Sequence, residues 1–208
     1  MGMSKRNIVF VFLIVFGMTA LFAYFQSLPS LLQKKPMLLT GKILTRPMEL
    51  NNFELIDQYN QTFNNKSLVG NWTIIFFGYT NCPDVCPTTI YKLAEIKNEI
   101  IEELPSENFN TVLVTLDPDR DTPERLDEYI GYFDQTMLGV TGTYEDIQTF
   151  ASSLSVFYQR INKDEGYDFN HTASIFVFNK DGFLFATMSP ANPVSELKDD
   201  FYTILNNF

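Results

Sequence analysis

Cys82 and Cys86 are the only cysteines of this 208-residue chain, and they fall in the run Gly78-Tyr79-Thr80-Asn81-Cys82-Pro83-Asp84-Val85-Cys86-Pro87. Two thiols four residues apart can hold one soft metal ion or form one reversible disulfide, and both outcomes run through thiolate chemistry. The pair follows a strand-like apolar stretch and precedes a helix-like one. A cysteine in the first turn of a helix meets the positive end of the helix dipole and unpaired backbone donors, which lower its pKa. Cys82 is therefore the expected nucleophile or first ligand, with Cys86 one turn later on the same face. Helix positions i and i+4 hold Cβ atoms about 5–6 Å apart, whereas a disulfide needs about 3.5–4.5 Å. The spacing tilts toward a metal ion. Pro83 and Pro87 can make that first turn irregular, so the disulfide stays open.

His171 is the only histidine, in Tyr167-Asp168-Phe169-Asn170-His171-Thr172-Ala173. Taken alone, a single loop histidine reads as a surface or hydrogen-bonding residue. Beside a cysteine pair it becomes a ligand candidate. Two thiolates and one imidazole suit Cu(I), and admit Cu(II) if a further oxygen joins. Zinc is the competing ion, but structural zinc takes four protein ligands, and only Asp84 offers itself as a fourth.

The elements that must position these groups are legible in part. Asn52 to Phe63 alternates around Asp57-Gln58-Tyr59-Asn60 and predicts a small hairpin. Asn71 to Gly78 is a continuous apolar run, as expected of a strand buried on both faces. Thr88 to Glu102 places Ile90, Leu93, Ala94, Ile96, Ile100 and Ile101 near helical spacing, and Thr111 to Leu116 reads as a second buried strand. Thr122 to Phe133 predicts a helix with Thr122 as N-cap and Pro123 at its first position, and Tyr144 to Leu154 another. Ser174 to Phe178, the turn Asn179-Lys180-Asp181-Gly182, and Phe183 to Met188 predict a hairpin, followed by a closing helix from Pro193 to Leu205. This order resembles an α/β thioredoxin-like fold with an N-terminal β-hairpin extension and a helical insertion. In such folds the loop entering the last hairpin packs beside the active-site turn, which would carry His171 to the sulfurs.

Ahead of this domain, assigned to residues 49–208, Ile8 to Phe25 is uncharged and mostly apolar and follows Lys5 and Arg6. Its 18 residues predict a single transmembrane helix rather than a cleaved signal peptide, since the run is long for a signal core and no small-x-small site follows before Gln26. Residues 1–7 would then stay cytoplasmic by the positive-inside rule, with 8–25 the anchor and 26–48 a membrane-proximal linker. The short leader lacks the length of an organellar transit peptide, so the expected host is a bacterial plasma (inner) membrane, with the domain facing the periplasm or cell exterior. Residues 1–48 hold six of the 15 basic residues and no acid, leaving nine bases against 25 acids, a net of −16, for the rest. So acidic a domain argues against a nucleic-acid partner.

Gly78 to Pro87 with Cys-Pro-Asp-Val-Cys-Pro, the later Asp117-Pro118-Asp119-Arg120-Asp121-Thr122-Pro123-Glu124, and His171 ahead of the terminal hairpin together resemble the Sco/SenC family from about residue 50 to the C-terminus. The resemblance implies a copper-binding protein of thioredoxin-like fold, tied to assembly of the dinuclear copper centre of cytochrome c oxidase. It implies Cys82, Cys86 and His171 as copper ligands, and as partner the copper-centre subunit of the oxidase or another copper chaperone. Two further classes remain open. A thiol-disulfide reductase would act through Cys82 and Cys86, although C-x-x-C spacing is absent. A thiol peroxidase would need one activated cysteine and no His171. Asp117 to Glu124 reads either as an acidic loop for partner docking or metal access, or as a turn and helix cap in which Arg120 and Arg125 tie up carboxylates.

Overall fold

The computed structural model describes residues 5–32, 36–105 and 109–208. Residues 1–4 of the expected cytoplasmic stretch and 33–35 of the expected linker lie outside the described residues. The chain divides into two units, Met1–Pro36 and Met37–Phe208.

Among its described residues the first unit holds one helix, α1 (Lys5–Leu32), of 28 residues. It runs past Phe25 into the stretch expected as linker. Among the described residues, no helix is long and apolar enough to cross a membrane. Within α1, side chains are described for residues 12–26.

The second unit opens with β1 (Gly41–Met48), followed by β2 (Glu54–Asp57) and β3 (Thr62–Asn64). It continues through β4 (Trp72–Gly78), α2 (Val85–Glu103), β5 (Phe109–Thr115), α3 (Pro123–Gly131), β6 (Leu138–Thr141) and α4 (Tyr144–Ser153). A hairpin of β7 (Tyr158–Asn162) and β8 (Tyr167–His171) precedes β9 (Ile175–Phe178), β10 (Leu184–Met188) and α5 (Val194–Asn207). Eight strands form one sheet in the order β1-β10-β9-β4-β5-β6-β2-β3, and β7-β8 stands apart as a sheet of two. β4 pairs in parallel with β5, and β5 with β6, so α2 and α3 are crossovers returning the chain to the same sheet.

Side chains of β4 alternate between two cores. Ile74 and Phe76 face the core that holds α2, α3 and α5, whereas Ile75 and Phe77 face the one that holds α4 and the β2-β3 hairpin. This two-sided burial is why the strand reads as an unbroken apolar run.

The linker expected over 26–48 needs correcting at its C-terminal end. β1 pairs antiparallel with β10 from Gly41 to Met48. The segment before it is fastened as well. Asp200 on α5, itself buried, accepts hydrogen bonds from Leu39 N–H and Thr40 N–H at 2.7 Å each and from the Thr40 hydroxyl at 2.6 Å. Lys42, Arg46 and Pro47 are residues an exposed edge strand tolerates, because only one of its sides must pair. The folded unit therefore begins near Met37 rather than at 49.

Candidate metal centre

The dithiol lies where β4 gives way to α2. β4 ends at Gly78, and a turn closes when Cys82 N–H donates to the Tyr79 carbonyl at 3.2 Å. Gly78 has a local purpose, since a Cβ there would stand 3.1 Å from the Cys86 sulfur. Asp84 occupies the N-cap position of α2, but its side chain makes no capping bond. The Cys82 sulfur takes that part, accepting from Cys86 N–H at 3.4 Å. Cys82 thus precedes the helix rather than sitting in its first turn, and Cys86 is the second residue of α2. A sulfur that caps orphan helix donors is favoured as thiolate.

The two thiols are correspondingly unlike. Cys82, partly buried, is lowered from an ordinary 9.0 to about 5, chiefly because the Cys86 thiol donates to it; burial opposes, and the Asp84 and Cys86 amides assist. Cys86 is fully buried and pushed far up by that same hydrogen bond and by burial. Both cysteines are free.

His171 ends β8, and its ring stands edge-on to Phe76 and Tyr79, with centroids 6.3 and 6.2 Å away. Nδ1 is 3.1 Å from the Thr172 carbonyl, a contact that protonates Nδ1 and leaves the Nε2 lone pair available. Nε2 lies 3.9 Å from the Cys86 sulfur, across 85 residues of sequence. At that separation the Cys86 sulfur and the His171 nitrogen could both hold one ion between them. Among the described residues, no group of three His, Cys, Asp or Glu side chains is already arranged to hold a metal ion. Free thiols, a low-pKa sulfur and an oriented imidazole fit a soft or borderline ion.

The loop after β5 supports this centre from behind. Asp121, buried, accepts from Thr80 N–H at 3.0 Å, the Thr80 hydroxyl at 2.6 Å and the Thr115 hydroxyl at 2.5 Å, fixing the turn that carries Cys82. Asp117, also buried, pairs with Arg120 and accepts from the Tyr167 hydroxyl at 2.9 Å. Thr122 caps α3 through Arg125 N–H, with Pro123 at the first turn, and Arg125 pairs with Glu128 at 3.0 Å. The turn-and-cap reading of Asp117 to Glu124 describes these contacts, since Asp117 and Asp121 are shut off from any partner. Asp84 is exposed, and although its amide serves the Cys82 sulfur, no described contact draws its carboxylate to the sulfurs or His171.

Tyr79 is a functional neighbour that sequence reasoning missed. It is buried, and its hydroxyl donates to Asp168 at 2.9 Å while accepting from Phe169 N–H at 3.4 Å, pinning the strand that leads to His171. The hairpin itself was also missed. Its signal was present in the alternation Tyr167-x-Phe169-x-His171 after Asp164-Glu165-Gly166, where Gly166 takes φ +82°.

Comparison with known proteins places this arrangement. The SCO1/SenC family model matches residues 44–206. A SCO2-like protein of Rickettsia prowazekii is 34% identical over 189 residues, covering 88% of each chain. Among solved structures, Arabidopsis thaliana ScoI with copper bound superposes with a TM-score of 0.72 at 29% identity, over 76% of this chain and 99% of that one. Bradyrhizobium japonicum ScoI with copper bound gives 0.66 at 32% identity, over 74% and 97%. A thioredoxin-like sheet whose strand-to-helix turn bears Cys-Pro-Asp-Val-Cys-Pro, faced by an imidazole from the strand before the last hairpin, is accounted for by descent: this chain belongs to the SCO1/SenC family.

Proposed function

We propose that this protein binds one copper ion through Cys82, Cys86 and His171 and delivers it during assembly of the dinuclear copper centre of cytochrome c oxidase. Copper is the metal that family membership and the copper-bound relatives support. The observation that carries the ligand set is the 3.9 Å approach of His171 Nε2 to the Cys86 sulfur, beside a Cys82 sulfur already poised as thiolate. The cargo would pass to the oxidase's copper-centre subunit, or come from another copper chaperone. The proposed setting is a bacterial plasma membrane, with Ile8 to Phe25 as the anchor and the domain outside. Supporting it are the uncharged 18-residue run, about 27 Å long as a helix, and the flanking Lys5 and Arg6.

The test is titration of the reduced full chain with Cu(I) and Cu(II), alongside His171→Ala. One copper per chain is expected, with Cu(II) binding weakened at least about a hundredfold in the variant and Cu(I) retained on two thiolates. Copper binding indifferent to His171→Ala would remove the three-ligand reading. A second reading, thiol-disulfide reductase, draws support from the contrast between a reactive Cys82 and a buried Cys86 kept as thiol. Fast reduction of a partner disulfide by His171→Ala would promote it.

A further inference from the structure

The β7-β8 hairpin carries His171 at its open end, opposite Tyr158, and Tyr167 beside its turn, opposite Asn162. It pairs only with itself. A lone two-stranded ribbon is marginal in water, so contacts with the rest of the domain must decide where it sits. Tyr79 holds its middle through Asp168 and Phe169, and a second set of contacts gathers at Tyr167. Its ring is stacked between two guanidinium groups, with the Arg120 carbon 3.8 Å from the ring centre and the Arg160 carbon 3.5 Å. Arg120 comes from the loop after β5 and Arg160 from β7.

Acids of that same loop fix both arginines. Arg120 pairs with Asp117, and Arg160 stands 3.8 Å from Asp119. The Tyr167 hydroxyl donates to Asp117 at 2.9 Å, and Arg120 donates to the Tyr167 carbonyl at 3.2 Å. Tyr144 on α4 donates to Asp119 at 2.8 Å, tying in a third element. The ribbon is thus gripped at its tip, while His171 depends on the remainder of the same strand.

We infer that the Arg120-Tyr167-Arg160 stack is a latch holding the hairpin against the dithiol, and that Tyr167 and Arg160 are positioning residues setting how firmly the centre retains an ion that needs the imidazole. The inference rests on the three-ligand reading above. Cu(II), which imidazole suits, depends on the latch; Cu(I), satisfied by two thiolates, is nearly indifferent to it. Opening the latch therefore lowers retention of one oxidation state selectively, without touching a ligand.

The test uses the full chain with Tyr167→Leu, Arg160→Met and Tyr167→Phe. Amide exchange across residues 158–171 is measured in metal-free protein, and Cu(II) and Cu(I) affinities separately. Loss of two ring-cation contacts in Tyr167→Leu should speed hairpin exchange about tenfold and weaken Cu(II) about tenfold or more, with Cu(I) changed less than about threefold. Arg160→Met, at a half-exposed site, should move both in the same direction by less. Tyr167→Phe keeps the ring between the cations but gives up the bond to Asp117, so it should fall between the parent and Tyr167→Leu. Unchanged hairpin exchange in both Tyr167→Leu and Arg160→Met overturns the latch. So does Tyr167→Phe behaving like Tyr167→Leu, or equal losses of Cu(I) and Cu(II). Faster exchange in a protein whose Cu(II) affinity ignores His171→Ala supports the latch and removes the three-ligand reading instead.

Discussion

Copper uptake by the His171→Ala variant at pH 7 should release about one proton per ion rather than two. Cysteine ligands bind copper as thiolates, so uptake expels whatever protons the sulfurs still carry. With Cys82 lowered to about 5 from an ordinary 9.0, its sulfur is mostly thiolate at pH 7, where an unperturbed thiol would be about 1% ionised. Cys86, pushed up by its bond to Cys82 and by burial, keeps its proton until copper arrives. In the variant the two sulfurs are the ligands whose protons enter the balance. The sign follows directly: the count stays near one from neutral pH upward through the ordinary thiol range, and climbs toward two as pH falls through about 5. Anaerobic Cu(I) titration in buffers of different ionisation enthalpy measures the count. Cys86→Ala supplies a second arm. It removes the side-chain donor that lowers Cys82 most, leaving the backbone amides of residues 84 and 86, so the Cys82 thiolate absorbance should titrate at higher pH. Two protons per copper at pH 7, or a Cys82 titration unmoved by Cys86→Ala, would refute the reasoning.

Asp121→Ala should cost about 3 kcal/mol of unfolding free energy in urea titrations, because Thr80 N–H is left buried without an acceptor and two hydroxyls lose theirs; no loss would mean the turn does not depend on this carboxylate. Gly41→Ala should lower stability by about 1–3 kcal/mol, since a Cβ there would lie 2.0 Å from the Thr187 carbonyl oxygen and 2.7 Å from Met188 Cα. Gly131→Ala, with nothing within 4 Å of its Cβ, is the control expected to leave the melting temperature level or higher.

What could be read in the chain itself was whatever carries its own periodicity. β4 announced itself as a run buried on both faces, α2 by helical spacing, and the β9-β10 hairpin by Asn179 to Gly182. Thr122 and Pro123 marked the start of α3 by cap chemistry that acts within one turn. β1 was hidden because its order is backbone pairing with β10, and side chains such as Lys42 and Arg46 look the same on an edge strand as in a tether. β6, four residues long, carries too little pattern to register. β7 was disguised by Gln159, Arg160 and Asn162, which face solvent or stack on a single ring. Of the candidate site, both sulfurs and the imidazole were expected from the sequence, and the structure brings His171 to 3.9 Å from the Cys86 sulfur. Cys82 was also expected as the readier thiolate, but from a place in the first helical turn; the structure gives it that character from outside the helix, where it caps α2 while Cys86 is buried behind Gly78. Tyr79 escaped because its value lies in where its hydroxyl points.

The seam between β1 and α5 has a practical side. Cutting the chain at residue 49 would discard Leu39 and Thr40, leaving the Asp200 carboxylate without its three donors and the outer rim of β10 bare. Such a fragment should be prone to lateral self-association through that naked rim, whereas one starting at or before Met37 keeps its own plug in place.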